Sequence, residues 1–148
     1  MRSLFSIVSL SLLVAGCAGA RPVNLGVRDG RLAPCPGSPN CVSSQSTGRE
    51  HGIEPLRYTG SPASAMELVK KVVLNMKRTR IVAEEGLYLH AEFTSALFRF
   101  VDDVEFLVDE RATAIHIRSA SRIGSSDLGV NRKRVENIRA AMASMTPH

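Results

Sequence analysis

The stretch SASRIGSSDLGVNRKR, from Ser119 to Arg134, brings serines, glycines and arginines to the point where a helix is predicted to begin. Free backbone N–H groups at a helix start attract an anion, and guanidinium groups add charge-assisted hydrogen bonds. Arg122, Ser125, Ser126, Asn131, Arg132 and Arg134 are therefore the candidate ligand-binding residues, with Arg118 as a further charge. The ligand class that fits is a phosphate or a carboxylate. The same residues also have a plain structural use: Gly124 and Gly129 permit turns, Asp127 can cap or pair with an arginine, and Arg118 can face Glu105. No Walker-type or dinucleotide glycine pattern is present, so a nucleotide is not indicated.

Acid–base chemistry would fall to His90, Asp102 or Asp103, since carboxylates held together push their pKa values apart and an imidazole titrates near neutrality. Successive strand residues point to opposite faces, so Asp102 and Asp103 share a site only at a bulge. His90 and His116 fall on the outer faces of predicted strands, where lone histidines are ordinarily spectators. Ser43 and Ser44 lack a nucleophile-elbow pattern. Cys35 and Cys41 enclose Pro36, Gly37, Ser38, Pro39 and Asn40, a turn composition that lets two thiols meet, and a disulfide is the simplest reading in an exported protein. Zinc would want four ligands and closer pairs, and a redox pair a two-residue spacing. Neither a metal nor a cofactor is expected.

The amino terminus tells where this chemistry would take place. Arg2 precedes the apolar run Leu4 to Leu13, which closes on small residues and then Cys17. That is the pattern of a secretory signal, and a cysteine directly after Ala15 and Gly16 makes it a lipoprotein signal, cut before Cys17, whose thiol takes the lipid. The run is about half of what a transmembrane helix needs. Residues 1–16 are thus read as signal, 17–31 as a lipidated tether and 32–148 as a single domain. Ala18, where an aspartate would signal retention in the inner membrane, favours the periplasmic face of the outer membrane. Several acyl chains, palmitate among them, make such an anchor effectively permanent.

The elements that must position the candidate residues follow from periodicity. The formal net charge of +5 falls to +4 without Arg2, too little to argue for nucleic acid. Asp102, Asp103, Glu105, Asp109 and Glu110 form an acidic stretch, and residues 111–140 a basic one, so the two can lie on neighbouring elements and neutralise each other. Ser61 as cap and Pro62 at the first position open a helix over 62–78 with Ala65, Val69, Val72, Val73 and Met76 as its apolar stripe. Alternation predicts strands at 80–84, 87–93, 104–108 and 115–117, with a further one at 54–59. A hairpin loop at Arg111 and Ala112 sets Phe106 opposite Ile117 and Glu105 opposite Arg118. Asn131 is the expected cap of the last helix, with Val135, Ile138 and Met142 inward. The fold class is α+β: an antiparallel sheet of about five strands, in the order strand, helix, four strands, helix, with both helices on one face.

Three blocks, CPGSPNCVSS at 35–44, YLHAEFTSALFRFVDDVEF at 88–106 and SASRIGSSDLGVNRKRVENIR at 119–139, resemble the signature blocks of the family called domain of unknown function 1499, DUF1499. The resemblance spans roughly residues 32–145 and implies a small protein of bacterial envelopes or plant plastids, with no agreed activity. It places Cys35, Cys41, His90, Asp102, Asp103, Arg122, Asp127, Asn131 and Arg134 within those blocks without giving any of them a role. The expected function is a lipid-anchored envelope binding or accessory module, held to the membrane through Cys17 and taking a small anion or an envelope protein as partner. The alternative is an envelope enzyme acting on an anionic substrate with His90, Asp102 or Asp103 as base. The lack of a recognised catalytic constellation favours binding.

Overall fold

Local sequence sets most element boundaries in the computed structural model, which describes residues 19–146. The expected signal and the lipid site at Cys17 lie outside the described residues. The elements run β1 (Cys41–Ser43), β2 (Leu56–Arg57), α1 (Pro62–Asn75), β3 (Thr79–Glu85), β4 (Tyr88–Thr94), β5 (Val101–Asp109), β6 (Ala114–Ser121) and α2 (Val130–Met145). Ser61 caps α1 by accepting from the Ser64 N–H at 3.1 Å, and Pro62 sits where a missing N–H costs nothing. The helix stops three residues before the expected Arg78 because Thr79 Oγ1 donates to the carbonyls of Val73 and Met76, satisfying a helix end that would otherwise continue.

The sheet is antiparallel in the order β1-β6-β5-β4-β3, with β2 sharing the outer edge of β6. Its register is the expected one: Phe106 lies opposite Ile117 and Glu105 opposite Arg118. Six strands form rather than about five, because β1 adds itself to β6 through Cys41 to Ser43. At the other edge, β3 shifts register between Ile81 and Ala83.

Both helices cover one face. Val69, Val72 and Val73 of α1 and Val135, Ile138 and Met142 of α2 form a single apolar cluster with Leu89, Phe93, Val104, Phe106, Ile115 and Ile117. Burial of this size is the main favourable term in folding. The start of α2 departs from expectation. Gly129, at φ 80°, is the cap, and the Asp127 carboxylate accepts from the Gly129 and Asn131 N–H groups at 2.9 and 2.8 Å. Asn131 itself is buried, because its amide joins Ser119, Ser121, the Asn40 carbonyl and Asp127.

The second face was expected to be solvated, and residues 17–31 to be a free tether. Over its described part that reading is revised. Arg21 reaches Glu92, and the Gly26 N–H donates to Glu105 at 2.8 Å. Arg28 and Arg31 exchange backbone hydrogen bonds across Asp29 and Gly30, whose φ values of 51° and 71° suit a tight hairpin turn. The Cys35–Cys41 disulfide, with Cα atoms 5.6 Å apart, pins the far end of this segment to β1. We call residues 19–34 the strap.

Candidate functional site

Period-two alternation puts His90 and Glu92 of β4, Asp103 and Glu105 of β5, and Arg118 and Arg122 at β6 on the strap side of the sheet. All are buried or nearly so. His90 Nε2 lies 2.8 Å from Asp103 Oδ1, and Arg122 grips both oxygens of Asp103 at 2.8 Å each. The same guanidinium reaches Glu92 at 2.5 Å, and Glu92 also accepts from Arg21 and Arg80 at 2.7 Å. Glu105, fully buried, accepts from Tyr88, from Gly26 and from Arg118 at 3.2 Å.

Charges taken out of water persist only when paired. Burial pushes the Glu92 carboxyl up, but the hydrogen bonds from Arg80, Arg21 and Arg122 outweigh it and hold the group at about 2. Asp103 follows the same logic: burial raises it, and Arg122 and His90 bring it below the ordinary aspartate value. The Asp103 hydrogen bond in turn raises Arg122. Burial drives Tyr88 far upward, with Glu105 adding to the effect, so it stays a hydrogen-bond donor. Arg118 Nε is the one buried side-chain polar atom without a partner among the described residues.

The residues proposed for an anion at the start of α2 do not converge. Arg122 is committed to Asp103 and Glu92 on the strap side of the sheet. Arg134 stays on the helix side, paired with Asp102, hydrogen-bonded to Ser119 and Asn131, and stacked over the Phe93 ring at 5.0 Å. Arg132 turns to the carbonyls of Arg49, Glu50 and Gly52. Ser125 is exposed, and Ser126 Oγ faces the Leu128 N–H. The place an anion would take is filled by Asp127, whose carboxyl burial raises and the Asn131 and Gly129 N–H groups lower. Asp102 and Asp103 point to opposite faces, as a regular strand requires.

The family model for DUF1499, proteins of unknown function, matches residues 31–142, most of the chain. The chain belongs to the DUF1499 family. No curated protein matches it in sequence. In this DUF1499 domain the three sequence blocks meet on one sheet: the first supplies β1 and the disulfide, the second β4 and the start of β5, and the third the end of β6 and the start of α2. Arg21 and Gly26, partners of the buried Glu92 and Glu105, precede the matched range.

Two hollows flank the strap. A groove of about 680 Å³ towards β3 is lined by Arg21, Glu85, Tyr88, His90 and Leu107. A cavity of about 350 Å³ towards β1 is lined by Asn24, Arg28, Arg31, Ser43, Gln45 and Ser46 among others, with no acidic residue. Neither Arg28 nor Arg31 has a carboxylate partner among the described residues. Sequence reasoning missed this pair because it read the strap as tether. The Asp29-Gly30 dipeptide was the available signal.

Sequence reasoning also set Ser44 aside, and the structure places it beside His116. Ser44 Oγ is 3.2 Å from His116 Nδ1, and Asp109 lies 3.5 Å from Nε2. Ser44 Oγ accepts the Ile117 N–H at 2.9 Å, and Asp109 binds the Arg111 and Ala112 N–H groups. The bonds to Ser44 Oγ and to Asp109 Oδ1 fasten a loop and a turn to β6, and Asp109 Oδ2 is the oxygen that faces His116.

Proposed function

We propose that this DUF1499 chain is a lipid-anchored envelope protein, attached through Cys17 at the periplasmic face of the outer membrane, whose domain binds a small anionic ligand. The anion-site reading moves from the start of α2 to the cavity between strap and β1. A single contrast carries it: Arg122 and Arg134 are neutralised by buried carboxylates, whereas Arg28 and Arg31 meet at a hollow with serine and amide donors and no acid. Guanidinium groups take carboxylate or phosphate oxygens two at a time, which fits two arginines on a rigid hairpin.

The test is thermal stabilisation by phosphate, sulfate or a dicarboxylate relative to chloride at matched ionic strength. At a hundredfold excess over Kd a ligand adds about 2.7 kcal/mol to stability. Arg28→Ala with Arg31→Ala should abolish the gain, and Lys70→Ala with Lys71→Ala, an equal loss of charge elsewhere, should keep it. No gain with any anion, or equal loss in both double variants, would remove the reading. Anchoring is tested separately: fatty-acid labelling should be lost in Cys17→Ser.

One observation favours the enzyme as a second reading. Asp103 fixes His90 Nε2, and Nδ1 has no hydrogen bond among the described residues while the side chain lines the 680 Å³ groove. That leaves a base on the groove side. Turnover of anionic esters or phosphoesters that is lost in His90→Gln and kept in His116→Gln would support it.

A further inference from the structure

One end of the molecule gathers exposed apolar groups. The loop from Ser95 to Phe100 joins β4 to β5, and there Leu97 is 79% and Phe98 64% exposed, with the Phe98 and Phe100 rings stacked at 5.4 Å. Leu128 and Val130, before and at the start of α2, are exposed at the same end, where Arg122 N bonds the Val101 carbonyl and Val130 shares a cleft with Ser95. Single exposed apolar side chains need no explanation, whereas several grouped at one tip do.

Cations surround this tip. Lys77, Arg78, Arg99 and Lys133 are exposed and form no ion pair among the described residues. The acids nearby are committed, Asp102 to Arg134 and Asp127 to the start of α2. The chain enters the domain here too. Gly19 lies so close to the end of β6 that a Cβ would come within 2.9 Å of Arg122 and Ile123, and the apolar run Leu4 to Leu13 and Cys17 precede it in sequence.

We propose that this end of the molecule docks on an anionic lipid bilayer, with Leu97, Phe98 and Phe100 entering the headgroup boundary and the four cations meeting lipid phosphates. Apolar groups ringed by lysine and arginine bind such an interface by burial and charge together. A protein partner would not require the apolar tip, the unpaired cations and the membrane-proximal chain entry to coincide. The proposal rests on the proposed function for the presence of a bilayer and for the nearness of the chain entry to it, whereas the apolar tip and the unpaired cations stand without it.

The chain has no tryptophan, so a single one reports its own surroundings. In a Cys17→Ala background, Phe98→Trp should shift its emission to the blue on vesicles containing phosphatidylglycerol and be quenched by brominated acyl chains. Ala112→Trp, in the opposite hairpin loop, should do neither. Lys77→Gln and Lys133→Gln should each weaken vesicle binding about fivefold, the factor that corresponds to about 1 kcal/mol per cation. Phe98→Trp emission unchanged on every vesicle, or an equal shift from Ala112→Trp, overturns the proposal. Since every chain in the test lacks the acyl site, such a failure is distinct from a failure of lipidation, which the fatty-acid label reads, and from a failure of the Arg28–Arg31 cavity, which the anion series reads.

Discussion

At the residue scale the decisive fact is that the carboxyl groups of Glu92, Asp103 and Glu105 are buried, each against an arginine. Breaking a buried ion pair from one side is far costlier than losing a surface one. Arg122→Ala should therefore lower stability by about 3 to 5 kcal/mol in urea unfolding, and Lys70→Ala by far less. The same groups set the acid response. A carboxyl whose folded pKa is depressed stabilises above its unfolded pKa and loses that contribution as pH falls through the folded value. For Glu92, at about 2 against an ordinary 4.5, about 3 kcal/mol should disappear between pH 4.5 and 2, with Asp103 adding in the same direction. Unfolding midpoints of wild type and Glu92→Gln across that range should converge. The alternation of 87–93 and 104–108 was enough to put His90, Glu92 and Glu105 on the face away from the core, and Asp103 joins them because β5 begins earlier, at Val101. That the face is covered was not legible, because nothing in Arg21 or Gly26 announces a contact some 70 residues away.

At the element scale, legibility follows length and capping. Ser61 and Pro62 mark α1, and β4, β5 and β6 are long enough to show alternation. The strands β1 and β2, of three and two residues, are too short to have a period, and they exist because β6 offers an edge. The strap hairpin carries a turn dipeptide but is flanked by Arg28 and Arg31 instead of alternating apolar residues, so it reads as linker. The α2 cap falls two residues before the expected one, at Gly129, because Asp127 takes the free N–H groups of the helix start and the buried Ser119 claims the asparagine. Asp127→Ala should cost about 1 kcal/mol, as for other caps. Asn131→Ala should cost more, since the buried Ser119 hydroxyl loses the acceptor of its proton and the Asn40 carbonyl keeps only the Ser121 N–H. Thermal unfolding of the two variants side by side checks the order.

For the whole molecule, the strap turns a two-layer fold into one with both faces covered, and the disulfide holds it there. Closing so short a ring stabilises by about 2 kcal/mol on the chain-entropy model. Reduction should lower the urea midpoint accordingly and hasten tryptic cleavage at Arg28 and Arg31; equal cleavage rates in both redox states would show that the strap stays docked without the bond. The free edge of the sheet has a different importance. β6 is capped by β1 and β2, so among the described residues β3 alone presents a long unpaired row, and its shifted register between Ile81 and Ala83 keeps that row from being straight. A straight edge would template a neighbouring copy strand by strand. The irregularity in β3 is thus a safeguard against growth into fibres, and a change that straightened it should show first as thioflavin-positive aggregates rather than as a lower melting temperature.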